Sequence, residues 1–272
     1  FPVHMFETIN VHTAEPERNA NSESNFAPPS ATVQPGMNGR IRKLRQQSVE
    51  TQPSLSIERA LHETQFYRDN YGKYSIPGLR ALTFLDHCKR KTLFLGEGEL
   101  IVGERGPAPK AVPTYPELTC HSVDDLHVLN TREMQRYTIS PEDIDTYARE
   151  VIPYWQGRSQ RERIFSHVPQ EWKAAYEAGL FTEFMEQRAP GHTALDAKIY
   201  HRGLRDFVRE IRNLTESLDY LTDPNATDKA EEWKAMEISC EAAIIFAERE
   251  RKSTSLNSSH GKLTRMPSSG VK

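Results

Sequence analysis

No stretch of this 272-residue chain approaches the eighteen or more consecutive apolar residues of a membrane-spanning helix, and no charged-then-apolar signal segment opens it. With 27% charged residues and a formal net charge of -3, it also lacks the basic bias of a nucleic-acid footprint. These absences predict a cytoplasmic protein with neither a membrane nor a nucleic-acid partner. Cysteine is scarce: Cys88, Cys120 and Cys240 are an odd count without paired spacing. That fits a reducing compartment and argues against disulfides and a structural zinc site. Gly96-Glu-Gly98 has neither the glycine-rich fingerprint nor the Lys-Ser/Thr ending of a phosphate loop. There is no internal repeat and no heptad run long enough for a coiled coil.

What is present is helical periodicity, set between two ends that lack it. Residues 1–39 are rich in Asn, Ser, Pro and Thr and carry no apolar period, so a disordered leader or translated upstream sequence is expected there. The chain opens on Phe1, and Met37, directly before the helical pattern, is the expected start site. From about Lys252 the periodicity stops in mid-helix without a cap. Leu256-Asn-Ser-Ser-His260 and Arg265-Met-Pro-Ser-Ser269 resemble the translated read-through of a sequencing adapter. Residues 251–272 are therefore expected to be a non-native tail on a truncated chain.

Between these ends, Ser54 or Ser56 can cap a helix reaching Tyr71, with Ile57, Ala60, Leu61 and Thr64 on one face. Ser75-Ile-Pro77 opens a second helix, with Leu79, Leu82, Leu85 and Cys88 inward. Leu100-Ile-Val-Gly103 reads as a short strand. It leads into a proline-studded irregular segment, 106–116, of the kind that lines a site or an interface. Ser122-Val-Asp-Asp125 is a capping-box start. Ser140-Pro-Glu-Asp143 opens a helix carrying Ile144, Tyr147, Ala148 and Val151, which Pro153 closes. Residues 158–167 and 169–178 predict two short helices. Tyr200, Leu204, Phe207, Ile211, Leu214 and Leu218 predict a long helix with a buried stripe. The turn Asp223-Pro-Asn225 then leads to an antiparallel partner with Trp233, Met236, Cys240, Ala243 and Ala247 inward.

Chemistry concentrates at 179–193. There Phe181 and Phe184 stand among Glu183, Glu186, Gln187, Arg188 and His192. Charged groups beside large apolar ones are costly to bury unless they pair or meet a ligand. Ala189-Pro-Gly191 forces a chain reversal, which places His192 at a turn. His192 can hydrogen-bond a polar substrate, Arg188 can hold a carboxylate or sulfonate, and Phe184 can wall the pocket. The competing reading makes Phe184 and Met185 core and pairs Arg188 with Glu183 or Glu186. No nucleophile stands beside a base, so no catalytic residue is assigned. Elsewhere, Cys120-His121 with His127 matches no zinc spacing and reads as caps and surface. Arg158, Arg161 and Arg163 with Glu162 read as a solvated face. Asp124-Asp125 reads as complement to a helix dipole.

Three motifs carry a resemblance. Leu100-Ile-Val-Gly-Glu104, Pro113-Thr-Tyr-Pro-Glu117, and Ala174-Ala-Tyr-Glu-Ala-Gly179 followed by Glu183-Phe-Met-Glu-Gln-Arg-Ala-Pro-Gly-His192 resemble the N-terminal part of glycyl radical enzymes, the pyruvate formate-lyase-like proteins. The resemblance covers about residues 40–250. It implies a mainly α chain, the helical N-terminal part of a ten-stranded α/β barrel, truncated before most barrel strands. It implies a lyase, closest to the dehydratases that take water from a hydroxylated proline. Isethionate sulfite-lyase, diol dehydratase and formate acetyltransferase types are the alternatives within the family, and a non-catalytic helical interaction module is the alternative outside it. It further implies a small-molecule substrate, a homodimer, and an activating enzyme that uses S-adenosylmethionine and an iron–sulfur cluster to install a glycyl radical. No cofactor or metal is implied on this chain itself.

In the family a cysteine followed two residues later by Glu does the chemistry, and an Arg-Val-x-Gly loop carries the radical. Here the cysteines read Cys88-Lys-Arg, Cys120-His-Ser and Cys240-Glu-Ala, and no such loop is present. The chain alone is therefore expected to be inactive. The resemblance places Phe184 and His192 in the substrate pocket and Arg188 at the head-group position. His at 192 favours the dehydratases over the sulfonate-cleaving members.

Overall fold

The computed structural model describes residues 38–99, 102–180 and 196–260. They form ten α-helices with one short pair of strands: α1 (Gly39–Glu50), β1 (Ser54–Ser56), α2 (Glu58–Asn70), α3 (Ile76–Arg90), β2 (Ala111–Pro113), α4 (Val123–Thr131), α5 (Pro141–Thr146), α6 (Ile152–Trp155), α7 (Gln160–His167), α8 (Gln170–Glu177), α9 (Leu204–Glu216) and α10 (Ala226–His260). The mainly α expectation holds.

The main core forms where α2 meets α4, α5 and α6. Ile57, Ala60, Leu126, Ile139, Ile144, Tyr147, Val151 and Trp155 are buried together there. Ser75, Ser122 and Ser140 each accept a bond from the backbone N–H three residues on, as their sequence contexts predict. At Ser122 the box is complete, because the Asp125 carboxylate accepts the Ser122 N–H in return.

Several expectations need correction. Ser54 does not cap a helix; Ser56 does accept the Glu58 N–H of α2 on its hydroxyl, at 3.4 Å, but both serines also form β1. It pairs in parallel with β2 in the register Ser54↔Ala111, Leu55↔Val112, Ser56↔Pro113. On its other side, Leu55 N–H donates to the Thr138 carbonyl at 2.9 Å. Partners distant in sequence thus claim the backbone at Ser54, and leave the Ser56 hydroxyl to the helix. Nor does Pro153 close its helix. A π-helical turn, Tyr147–Val151, intervenes, and the Ile152 N–H reaches back five residues to the Tyr147 carbonyl. The wider turn removes the clash that Pro153 would make with the carbonyl four residues before it. The chain then runs through α6 and reverses at Gly157, at φ 73°. Of the strand expected at 100–103, Leu100 and Ile101 lie outside the described residues.

The helix predicted from Tyr200 starts only at Leu204, behind Gly203, whose N–H donates to the Asp206 carboxylate at 3.0 Å. Tyr200 belongs to a preceding 3-10 turn and is 82% exposed. Helices α9 and α10 are antiparallel, as expected: Arg212 pairs with Glu237 and Glu241 at one end, and Arg205 with Glu248 at the other. Phe207, Val208 and Cys240 form the seam. The inward face of α10 differs from the predicted one, with Ala235, Cys240 and Ala242 buried and Met236 53% exposed. The reason is that α10 serves two neighbours, α9 and α3, so no single stripe describes it. Its backbone continues past Lys252 to His260. Helix propagation adds one bond per residue and needs no apolar stripe to proceed.

Candidate functional site

Phe184, Arg188 and His192 lie outside the described residues. The structure does describe the approach to them. Helices α7 and α8 form a short hairpin tied by rings. Trp172 and Tyr176, one turn apart, stack with centroids 5.7 Å apart and planes 3° from parallel. Phe165 of α7 meets both edge-on, at 5.3 and 5.1 Å. The Arg161 guanidinium covers the Phe165 ring at 4.4 Å and donates to the Tyr176 hydroxyl at 3.2 Å. Helix α8 then stops sharply. Gly179, at φ 72°, sends its N–H to the Tyr176 carbonyl at 2.9 Å, and Leu180 N–H reaches the Ala175 carbonyl at 3.0 Å. This pair of bonds is the Schellman motif, which suits glycine because it needs a left-handed residue. Gly179 and Leu180 are the last described residues before the candidate stretch.

The other clusters read from sequence do not assemble into sites. Cys120 packs on the core, its sulfur 3.8 Å from the Tyr147 hydroxyl, and burial pushes its thiol up to about 11. Such a thiol is a poor nucleophile and metal ligand at neutral pH. His127 lies on the exposed face of α4. Among the described residues, no group of three or more His, Cys, Asp or Glu is placed to hold a metal ion. Arg158 and Arg161 do not converge; each covers an aromatic ring, Arg158 that of Tyr154 at 4.6 Å. Glu162 belongs to the start of α7, where its carboxylate accepts the Ser159 hydroxyl at 2.7 Å.

Sequence reasoning missed a charged cluster built around the buried Glu63. Arg59 of α2 donates two parallel bonds to Glu117, at 2.6 and 3.0 Å, and a third to the Thr114 carbonyl at 3.2 Å. The same guanidinium lies 3.1 Å from the Glu63 carboxylate and covers the Tyr115 ring at 4.1 Å. Glu63 is only 5% exposed. Burial pushes its carboxyl up to about 7; Arg59 pulls the other way, while Glu117 and Asp86 add to the rise. Two signals were available: Arg59 and Glu63 share a face with Ala60 and Thr64, and Glu117 ends the Pro-Thr-Tyr-Pro-Glu motif. A second unread pair is His62 and His87, whose rings meet edge-on at 5.6 Å between α2 and α3.

The architecture is that of the helical part of glycyl radical enzymes. It superposes on hydroxyproline dehydratase from Clostridioides difficile, solved with trans-4-hydroxy-L-proline bound, with a TM-score of 0.78 and 40% identity. That match covers 84% of this chain and 29% of the other. A glycyl radical enzyme from Archaeoglobus fulgidus shares the fold at a TM-score of 0.73 and 24% identity, over 82% of this chain and 29% of the other. The family model for pyruvate formate lyase-like proteins matches residues 31–259, and the chain belongs to that family. Among curated relatives, it is 43% identical to trans-4-hydroxy-L-proline dehydratase of Clostridioides difficile over 210 residues, which is 77% of this chain and 27% of the relative. It is 28% identical to isethionate sulfite-lyase of Desulfovibrio desulfuricans over 221 residues, 77% of this chain and 26% of that relative. The chain thus spans about a quarter of the length of these relatives.

Proposed function

We propose that this chain is the N-terminal helical portion of a glycyl radical dehydratase that takes water from trans-4-hydroxy-L-proline. One observation carries the reading: 43% identity to the hydroxyproline dehydratase against 28% to an isethionate lyase, over nearly the same share of the chain. Supporting it, this chain has both Phe184 and His192, eight residues apart, the pair through which the resemblance places substrate.

In this reading the residues here bind and orient, and do not react. Arg188 holds the amino acid's carboxylate by a charge-assisted fork. His192 hydrogen-bonds a polar group of the ring, and Phe184 closes one apolar wall. The radical, installed by an iron–sulfur activating enzyme with S-adenosylmethionine, supplies hydrogen abstraction. The cysteine, the glutamate base and the glycyl loop belong to the part of the relatives' length that this chain does not span. A homodimer in the cytoplasm, meeting that activating enzyme, completes the proposal.

The test is to read the locus beyond codon 250. A frame that continues into a Cys-x-Glu pair and an Arg-Val-x-Gly loop supports the dehydratase. A reproducible frame that ends without them leaves a helical interaction module instead.

A further inference from the structure

The buried cluster at Arg59 holds one guanidinium between two carboxylates. Arg59 and Glu63 are four residues apart on α2, whereas Glu117 comes from the irregular segment that follows β2. On its far side the segment is tied to the start of α7, where the Gln160 and Arg161 N–H groups donate to the Glu117 and Leu118 carbonyls at 2.9 and 3.0 Å. Within it, Leu118 and Thr119 both donate to the Tyr115 carbonyl, at 3.0 Å each. Its link to α2 is Arg59, through Glu117, the Thr114 carbonyl and the Tyr115 ring. The surroundings leave Glu63 a choice. The charged or titratable groups facing it are Arg59 and Tyr67 on its own helix, Glu117 on the segment and Asp86 on α3. If Glu63 is ionised, the one Arg59 guanidinium faces both Glu63 and Glu117, while Asp86 has its own partner in Arg90, and Glu63 sits where it has almost no water.

We propose that Glu63 is a proton-operated latch for residues 114–118. With its proton on, Glu63 leaves Arg59 to Glu117 and the Thr114 carbonyl, and the segment is held against α2. When the proton leaves to solvent, the Glu63 carboxylate competes for the same guanidinium and repels Glu117, and the segment loosens. This stands apart from the substrate assignment, because it needs only the described residues.

The direction in pH follows from burial. A carboxyl whose folded-state affinity for protons exceeds its ordinary one favours the closed state at low pH, and loses that advantage as pH rises through the folded-state value. The experiment is amide hydrogen exchange on the 272-residue chain, read by mass spectrometry in peptides covering 114–120 and corrected for intrinsic exchange. Protection there is expected to fall about tenfold or more between pH 5.5 and 7.5, then level off. Peptides from α9 and α10 should hold steady over the same range. Glu63→Gln, an isostere of the protonated form, should keep the pH 5.5 protection throughout. Carbon-13 spectra of the Glu63 carboxyl give a second reading that needs no variant, with a midpoint near neutrality expected. A carboxyl that titrates with the exposed glutamates, flat protection in the parent, or an equal fall in Glu63→Gln would each overturn the latch.

Discussion

Arg249 of α10 donates to two carbonyls at the end of α3, that of Cys88 at 2.6 Å and that of Lys91 at 2.8 Å. At the other end of α3, the Ser75 cap donates to Glu231 at 2.5 Å. The two helices run in the same direction, and α10 sets an acid against the N-terminus of α3 and a base against its C-terminus. Both charges complement the helix dipole. Arg249→Met keeps the stem and removes both bonds, so it should cost about 1–3 kcal/mol in urea unfolding. Arg205→Ala breaks the exposed pair with Glu248 and should cost under about 1 kcal/mol. Equal costs would deny α10 this clamping role.

Trp155 and Thr64 test the main core. The indole N–H donates to the Thr64 hydroxyl at 2.8 Å, and that hydroxyl donates to the Ala60 carbonyl at 2.6 Å. Thr64→Val keeps the shape but leaves a buried indole donor without a partner. Chemical unfolding should show a loss of about 1–3 kcal/mol. Thr64→Ser should recover part of it, since the hydroxyl returns.

At Gly106 the proline-rich segment passes close to itself. A methyl group there would lie 2.7 Å from the Ala111 side chain and carbonyl, so backbone must shift. Gly106→Ala should destabilise by about 1–3 kcal/mol in thermal or urea unfolding, as over-packing does. Gly103→Ala, with open space around the added carbon, is the matched control.

Acid should loosen the α2–α3 contact. Burial, with Arg59, His62 and Lys91 nearby, pushes His87 down to about 4, and burial with Arg90 lowers His62. Both rings have a buried Nδ1 that finds no partner among the described residues. A base whose folded-state pKa is depressed gives stability that is complete above the unfolded value near 6.5. That stability is lost as pH falls through the folded value. Glu63 acts in the opposite sense over this range but is common to parent and variant, so the melting temperature of the parent relative to that of His87→Gln should fall between pH 7 and pH 4.

Much of the helical layout was legible because it is written locally. Ser75, Ser122 and Ser140 cap where a serine followed by proline or acids predicts. The stripe of Leu204, Phe207 and Ile211 lies where its spacing puts it. What was illegible depends on distant partners. Ser54 reads as a cap in its local context, but Ala111 and Thr138 pair with it in a strand. Met236 seemed inward because the stripe on α10 was read for one neighbour when there are two. The Arg59–Glu117 pair is 58 residues apart in sequence, so no window could show it. For the candidate site, the sequence supplied Phe184, Arg188 and His192, and the structure adds the hairpin and the Gly179 stop that lead to them.

The central claim is that this chain holds one wall of a hydroxyproline pocket. It is tested most directly by turnover in the polypeptide from the complete reading frame, activated without oxygen and offered trans-4-hydroxy-L-proline and isethionate in parallel. The account predicts a pyrroline carboxylate from the first and no sulfite from the second. Phe184→Ala and His192→Ala should each lower kcat/KM at least about tenfold, the worth of one lost substrate contact, with the radical signal intact by electron paramagnetic resonance. A radical-bearing enzyme that leaves hydroxyproline untouched, or that turns it over equally well without Phe184 and His192, would contradict it.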